Sequence, residues 1–248
     1  MDKQEVIFKD LGIIDYKMAW DYQESLLQQN VKVKSALRNM QQETNDIGTA
    51  ESAFNHQLST VNYFLICEHP PVYTLGKSGK IEHVLMNPTE LEANNIQFFN
   101  TNRGGDITFH GPQQVVGYPI IDLEKFYTDI GKYLRNLEEV IILTIAEYGI
   151  KGNRSIGETG VWVDPGIKGK ERKICAIGVR CSRWITMHGF ALNVNTDLKY
   201  FNNIIPCGIQ NKQVTSVEKE LGAPVDYTEI KDKIKKNFEK VFAVNMTT

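Results

Sequence analysis

The alternation of hydrophobic and polar residues along the chain predicts strands in some stretches and helices in others. Residues 61–67 and 174–179 are apolar or small on both faces, which is typical of buried strands. Apolar residues at i, i+3, i+4 and i+7 predict helices over 130–148 and, near the C-terminus, over about 227–244. Further strands are expected over 7–14, 115–123, 160–163 and 184–195. Strands and helices therefore follow one another in mixed order.

Two places interrupt this pattern. Residues 31–55 are polar and poor in aromatic side chains, and we interpret them as a helical continuation that gives way to a loop and not as a boundary between domains. A single domain over residues 1–248 is therefore expected, with the polar stretch as an insertion. Pro119 lacks a backbone N–H, so it should place the 115–123 strand at a sheet edge or a bulge.

Composition narrows the functional classes. The chain carries 28 Lys and Arg against 30 Asp and Glu, a net charge of −2, so bulk charge does not favour a nucleic-acid partner. No run approaches the ~18 apolar residues that a membrane span needs, and we expect a soluble, cytoplasmic protein without a membrane partner. The four cysteines form no CxxC pair, which predicts a reducing compartment and neither a disulfide framework nor a metal site.

One of these cysteines lies on a predicted turn. Cys207 is placed between Pro206, which cannot continue a hydrogen-bond ladder, and Gly208, which tolerates a positive φ. A side chain on such a constrained turn can be presented reproducibly to a reactant. The alternative is that Cys207 is a small buried hydrophobe in a loop, as most free cysteines are.

Two further stretches carry candidate chemistry. Residues 103–112 (RGGDITFHGP) predict a tight glycine turn that leads into a short strand, and they match neither GxxxxGK nor GxGxxG, so a phosphate loop is not indicated. His110 could equally be a structural histidine at a strand end. Lys173 opens an apolar strand, and its ammonium could lower the pKa of a neighbouring thiol or simply be solvated. The sequence does not show whether Lys173 meets Cys207.

Together these stretches resemble a known family. Residues 69–76 (HPPVYTLG), 103–112, 117–120 (GYPI), 173–178 (KICAIG), 188–194 (HGFALNV) and 206–209 (PCGI) resemble the lipoyl(octanoyl) transferases and occur in that family's order from about residue 11 to about residue 221. The resemblance implies the α/β fold, of the α+β type, shared with biotin protein ligases and lipoate ligases. In that fold a mixed sheet core is flanked by helices, which agrees with the mixed order of strands and helices. Gln113, residues 182–187 and the long polar stretch depart from the usual family pattern.

The resemblance also implies roles for individual residues. Cys207 matches the cysteine that carries the acyl thioester, and Lys173 matches the lysine that activates it. The acyl pocket would be lined by Arg103, Gly104, Gly105, Asp106, Ile107, Thr108, Phe109, His110, Ala176, Ile177, Gly178, Gly189, Phe190 and Ala191. The implied donor is octanoyl-acyl carrier protein, and the implied acceptors are lipoyl domains of 2-oxoacid dehydrogenases and the glycine cleavage H protein. No cofactor is implied.

The chemistry of such a transfer suits a thiol. A thiolate attacks thioesters well and leaves readily, so a two-step cycle without ATP is expected. The Gly208 amide and a backbone amide near Gly178 are candidate donors to the oxyanion. Two alternatives stay open: an ATP-dependent lipoate-protein ligase, which would not need a nucleophilic cysteine, and a non-catalytic acyl-binding protein, which would tolerate the loss of Cys207.

Overall fold

The computed structural model describes residues 3–47, 58–205 and 213–248. The predicted turn that contains Pro206, Cys207 and Gly208 lies outside the described residues. The predicted strands and helices at 7–14, 61–67, 130–148 and 227–244 are all present, with ends that shift by a few residues.

The described chain contains strands and helices in mixed order. The strands are β1 (Gln4–Ile13), β2 (Asn62–Glu68), β3 (Val72–Leu75), β4 (Gln97–Asn100), β5 (Ile107–His110), β6 (Gln114–Ile120), β7 (Gly152–Asn153), β8 (Val161–Val163), β9 (Arg172–Ser182), β10 (Ile185–Asn193), β11 (Gln213–Val214) and β12 (Val244–Thr247). The helices are α1 (Tyr16–Ile47), α2 (Pro88–Ala93), α3 (Ile130–Ala146), α4 (Val217–Leu221) and α5 (Tyr227–Phe242).

These strands form two sheets. Within the described residues, the larger sheet has the order β12-β1-β2-β6-β10-β9-β8-β7, with β11 paired in parallel to the start of β9. Strands β2, β6 and β10 lie at its centre and are almost entirely buried, because helices cover both faces. The smaller sheet has the order β4-β3-β5.

Two hydrophobic clusters attach helices to the larger sheet. On one face, α3 and α5 contribute Tyr133, Leu137, Ile234 and Phe238 to a cluster with Phe64 of β2. On the other face, α1 buries Ala19, Leu26 and Leu27 against the strands. The helical spacing of apolar residues in these three helices therefore corresponds to the faces that pack on the sheet.

The polar stretch 31–55 is helical for longer than its composition suggests. Helix α1 continues to Ile47, and residues 48–57 lie outside the described part of the chain. Polar side chains tie this helix to the sheet. Asn30 exchanges two 2.8 Å hydrogen bonds with the backbone of Val61, and Lys34 is buried 2.7 Å from Asp122. No helix in the described ranges is long and apolar enough to cross a membrane.

The expectation of a sheet edge at Pro119 is wrong. Strand β6 is central, since it pairs with β2 on one side and with β10 on the other. The registered ladder with β10 stops at Gly117, however, so the missing N–H of Pro119 falls where that ladder is interrupted. Opposite this interruption, His188 has a positive φ of 59°, which is uncommon for a residue with a side chain.

Candidate active site

A cavity of about 600 Å³ lies between the two sheets. One wall is the loop 103–106 with strand β5, and the opposite wall is formed by β9 and β10. Thirteen of the fourteen residues that the sequence assigned to an acyl pocket line this cavity. They are Arg103, Gly104, Gly105, Asp106, Ile107, Thr108, His110, Ala176, Ile177, Gly178, Gly189, Phe190 and Ala191. Three separate segments of sequence, 103–110, 176–178 and 189–191, are thus brought to one cavity.

Phe109 is the exception. Its ring is fully buried on the other side of the small sheet, where it stacks on Tyr200 with ring centroids 4.4 Å apart and also contacts Tyr73 and Phe201. The expectation that Phe109 lines the pocket is therefore wrong. Neighbouring side chains of a strand point to opposite faces, so Phe109 cannot share the direction of Thr108 and His110.

Close backbone contacts explain the glycines in the cavity wall. The Gly104 N–H donates to the Val179 carbonyl oxygen at 2.9 Å, which joins the loop 103–106 to strand β9. A Cβ on Gly178 would lie 2.6 Å from the Gly104 oxygen, and a Cβ on Gly76 would lie 2.3 Å from the Gly105 oxygen. Both positions require glycine, because a real Cβ does not approach a backbone oxygen so closely.

A chain of hydrogen bonds runs through the polar wall of the cavity. The Arg103 guanidinium donates to the Thr74 carbonyl oxygen at 2.6 Å and to the Thr74 hydroxyl at 3.0 Å. The Thr74 hydroxyl in turn lies 3.4 Å from Nε2 of His110, and Nδ1 of His110 lies 2.9 Å from Oε1 of Gln114. The Gln114 amide nitrogen donates to Asn193 Oδ1 at 2.9 Å.

The direction of these bonds defines the state of His110. The amide nitrogen of Gln114 is used as a donor, so its Oε1 is an acceptor and His110 must carry its proton on Nδ1. Nε2 of His110 is then an acceptor for the Thr74 hydroxyl, which leaves the hydroxyl oxygen to accept from Arg103. Every polar atom in this chain has a role that is consistent with its neighbours.

Three buried histidines around the cavity are held neutral. Burial lowers the pKa of His69 to about 4 and that of His188 to about 3, and it lowers the pKa of His110 well below the usual histidine value. The positive charge of Arg103 acts in the same direction on His110 and His188. Arg103 is therefore the permanent positive charge of this group of residues.

Lys173 lies at the other end of the cavity wall. Strand β9 lines the cavity from Lys173 to Val179, a distance of about 20 Å along an extended strand. The Lys173 ammonium lies 4.6 Å from the centre of the Trp162 ring and 4.0 Å from the Glu158 carboxylate. Val214 pairs with Lys173 in register, so the described chain resumes after residue 212 beside this lysine. The predicted partner of Lys173, Cys207, and the Gly208 amide lie outside the described residues.

Several cavity residues were not assigned from the sequence. His188 donates from Nε2 to Asn102 Oδ1 at 2.7 Å, Tyr118 contacts His69 Nε2 at 2.8 Å, and Tyr16 stacks on His110. Among the described residues, the buried Tyr16 hydroxyl has no hydrogen-bond partner, and burial raises its pKa to about 12. His188 and Thr74 fall within the family-like segments, which is the signal that could have drawn attention to them.

Metal ligation finds no support in the described ranges. In residues 3–47, 58–205 and 213–248, no three His, Cys, Asp or Glu side chains are grouped as they would be around a metal ion. This arrangement offers a largely apolar cavity with a lysine at one end and a hydrogen-bonded arginine near the other.

The fold places this protein in the structural class of the lipoate-protein ligases. A bipartite lipoate protein ligase from Thermoplasma acidophilum aligns with a TM-score of 0.63 at 14% identity, over 100% of this chain and 88% of the other. A lipoate-protein ligase A bound with ATP aligns with a TM-score of 0.64 at 12% identity, over 100% of this chain and 90% of the other. The predicted fold is thereby confirmed.

Sequence comparison gives the family. The profile of the lipoyl protein ligase A/B catalytic domain matches residues 15–239. Proteins named octanoyltransferase from Christiangramia forsetii and Flavobacterium psychrophilum are 53% and 56% identical, over 98% and 94% of this chain and 98% and 95% of theirs. The chain belongs to the lipoyl protein ligase A/B catalytic domain family, is related to its octanoyltransferases and is an acyltransferase, which confirms the resemblance.

Proposed function

We propose that this protein transfers an octanoyl group from octanoyl-acyl carrier protein to a specific lysine of a lipoyl domain, through an acyl thioester on Cys207. The observation that carries the proposal is the cavity itself. It combines apolar walls from Ile177, Phe190 and Ala191 with a lysine at one end. The relatives named octanoyltransferase, which match almost the whole chain, support the octanoyl group as the cargo.

The first step loads the enzyme. The Cys207 thiolate attacks the carbonyl carbon of the donor thioester, a new C–S bond forms to Cys207, the C–S bond to the carrier breaks, and the leaving carrier thiolate takes a proton from the Lys173 ammonium. The Lys173 ammonium stabilises the Cys207 thiolate before the attack. The Asn193 side chain of β10 donates a hydrogen bond to the Thr215 carbonyl oxygen, and the Thr215 N–H donates to the Lys173 carbonyl oxygen. These two bonds connect the polar wall of the cavity to the strand that carries Lys173.

The second step releases the product. The amine of the acceptor lysine attacks the carbonyl carbon, a C–N bond forms, and the C–S bond to Cys207 breaks to regenerate the thiolate. Lys173, as the neutral amine at this stage, takes the proton that the attacking nitrogen loses. Atoms and charges balance without ATP, so the cycle has two transfer steps and needs no cofactor.

Apolar burial provides the affinity for the tail. Each buried methylene contributes about 0.8 kcal/mol, so roughly six of them contribute about 5 kcal/mol before the costs of binding. One methylene more or less changes the preference by only about 10-fold to 200-fold. We therefore expect a preference for octanoyl groups that admits neighbouring chain lengths.

The protein partners follow from the two steps. The donor is octanoyl-acyl carrier protein, and the acceptors are lipoyl domains of 2-oxoacid dehydrogenases and the glycine cleavage H protein. The two partners present their reactive groups to the same thiol in turn.

Intact-mass measurement after addition of octanoyl-acyl carrier protein tests the covalent step. The wild-type protein should gain one octanoyl group, and Cys207→Ala should gain none. Cys181→Ala is the matched control, since Cys181 is a half-buried free cysteine that does not line the cavity. Transfer to a lipoyl domain by Cys207→Ala, or by a wild-type protein that never shows the adduct, would disprove the thioester.

The ligase alternative has a separate test. The family that matches is described as a lipoyl protein ligase A/B catalytic domain, and a lipoate-protein ligase shares the fold. A ligase should modify the lipoyl domain from free octanoate and ATP. A transferase should require the carrier-bound octanoyl group, and the high identity to proteins named octanoyltransferase supports this outcome.

A further inference from the structure

We propose that Thr74 is a positioning residue that holds the Arg103 guanidinium as the far wall of the acyl cavity and thereby sets the length of acyl chain that the enzyme accepts. This inference rests on the proposed function only in taking the cavity as the acyl site. Thr74 is fully buried in strand β3 and does not itself line the cavity.

Arg103 lies towards the end of the cavity that is opposite Lys173. Lys173 and Val179 mark the two ends of the β9 segment that lines the cavity, and the loop of Arg103 meets β9 at the Val179 end. A Cβ placed on Gly178 would lie 3.4 Å from both Cδ and Nη1 of Arg103, so the side chain packs directly over Gly178. An acyl tail that enters from the Lys173 end therefore extends towards Arg103.

Thr74 fixes the orientation of the Arg103 side chain. Two groups of one residue, the carbonyl oxygen and the hydroxyl, accept from Nε and Nη2 of the guanidinium at 2.6 to 3.3 Å. This paired contact defines the plane of the guanidinium as well as its distance. The hydroxyl hydrogen is directed to His110, so its oxygen lone pairs remain directed to Arg103.

Removal of the Thr74 hydroxyl should loosen the Arg103 guanidinium. Thr74→Val keeps the shape and the backbone carbonyl but deletes the acceptor for Nε and the donor to His110. The guanidinium, which then has one anchor in place of two on this residue, can turn into the cavity and shorten it. Longer acyl chains should suffer more than shorter ones.

Transfer kinetics with hexanoyl, octanoyl and decanoyl carrier protein test this inference. For Thr74→Val we expect kcat/KM to fall about tenfold for decanoyl and to stay within about twofold for hexanoyl, with the loss in KM and not in kcat. Thr74→Ser, which retains the hydroxyl, should restore the wild-type order. The His110 Nε2 resonance in ¹⁵N NMR should shift in Thr74→Val and return in Thr74→Ser.

Thr144→Val is the matched control. Thr144 is also fully buried, its hydroxyl donates to the Val140 carbonyl at 2.8 Å and accepts from Asn237, and it lies on α3 away from the cavity wall. It should lose similar stability and keep the wild-type preference for chain length. If Thr74→Val does not fold, Thr74→Ala removes the same hydroxyl with less bulk.

The outcomes separate this inference from the proposed function. An equal loss for all three chain lengths in Thr74→Val, an unchanged profile, or the same shift in Thr144→Val would overturn the role of Thr74. A wild-type protein that transfers no acyl group from any carrier would instead overturn the proposed function, and the NMR shift of His110 would still report on the Thr74 contact.

Discussion

Two buried cations on different parts of the fold are held in opposite ways. Lys34 of helix α1 is 5% exposed and contacts two carboxylates, Asp122 at 2.7 Å and Glu124 at 2.8 Å. Arg103 is 7% exposed and donates hydrogen bonds to the neutral oxygens of Thr74 and Gly104. At similar burial, the described contacts of Lys34 are therefore to carboxylates, and those of Arg103 include neutral hydroxyl and carbonyl oxygens.

The difference shows which cation serves structure and which serves the cavity. The charge of Lys34 is balanced by the adjacent carboxylates of Asp122 and Glu124. Asp122 also accepts a hydrogen bond of 2.9 Å from the Thr60 hydroxyl. The charge of Arg103 acts on the buried histidines beside it and contributes to the lowered pKa values of His110 and His188. Breaking the first arrangement should cost stability, whereas disturbing the second should change substrate binding.

The largest effect is expected from Asp122→Ala. Removing the Asp122 carboxylate leaves the buried Lys34 ammonium with Glu124 alone and the Thr60 hydroxyl without its acceptor, and the free energy of unfolding should fall by about 3 to 5 kcal/mol. Urea denaturation measures this loss. The KM of the folded fraction for the acyl donor should stay near the wild-type value. A large rise in KM would show that the two cations are not separate in function.

The buried neutral histidines around the cavity should make the protein less stable as the pH falls. A histidine kept neutral by the fold binds its proton only in the unfolded state between its two pKa values. For His69 this window runs from 6.5 down to about 4, so its contribution is complete above pH 6.5 and is lost as the pH falls, to a total of about 3 kcal/mol.

Urea denaturation between pH 7 and pH 5 measures that slope. Each such histidine lowers the free energy of unfolding by up to about 1.4 kcal/mol per pH unit within its window. His69→Gln should therefore show a shallower slope than the wild-type protein. An equal slope in both would mean that His69 is not held neutral.

A smaller effect on stability, with a clear effect on binding, is expected from Gly76→Ala. The new Cβ would lie 2.3 Å from the Gly105 oxygen and 2.9 Å from Nη1 of Arg103, so the loop must move away. We expect a loss of about 1 to 3 kcal/mol in unfolding free energy, together with a raised KM for the acyl donor.

Gly131→Ala is the control for that experiment. Gly131 is exposed near the start of α3, and its new Cβ would come no closer than 3.2 Å to Asp129 Oδ1. It should leave KM unchanged. If both variants raised KM equally, the contact of Gly76 with the Arg103 loop would not be the cause.

The sequence predicted most elements because each is encoded locally. The periodicity of α3 and α5 and the apolar run of β2 are visible within windows of ten to twenty residues. The full length of α1 could not be predicted from such a window, because the polar second half of the helix is held by groups that are distant in sequence, such as Asp122. Pro119 was misplaced for a related reason: the interruption of a ladder depends on the partner strand.

For the candidate site, too, the local segments could be predicted from the sequence and the long-range contacts could not. The glycine-rich and family-like segments pointed to the cavity walls, and thirteen of fourteen residues lie there. The contacts that connect those walls were missed, since Thr74 and Arg103 are 29 residues apart, Gln114 and Asn193 are 79 apart, and Asn102 and His188 are 86 apart. The direction of Phe109 was missed because family likeness marks a segment and not the face of each side chain.

The pairing of β1 with β12 has a consequence for how the chain folds during synthesis. Strand β1 lies between β2 and β12, with Gln4 in register with Val244, so one side of the first strand stays unpaired until the last strand has been made. A contact of such long sequence separation forms only after most of the chain is ordered. On the ribosome, β1 therefore presents an open sheet edge until β12 has been synthesised, the condition in which chaperones bind and neighbouring chains can pair.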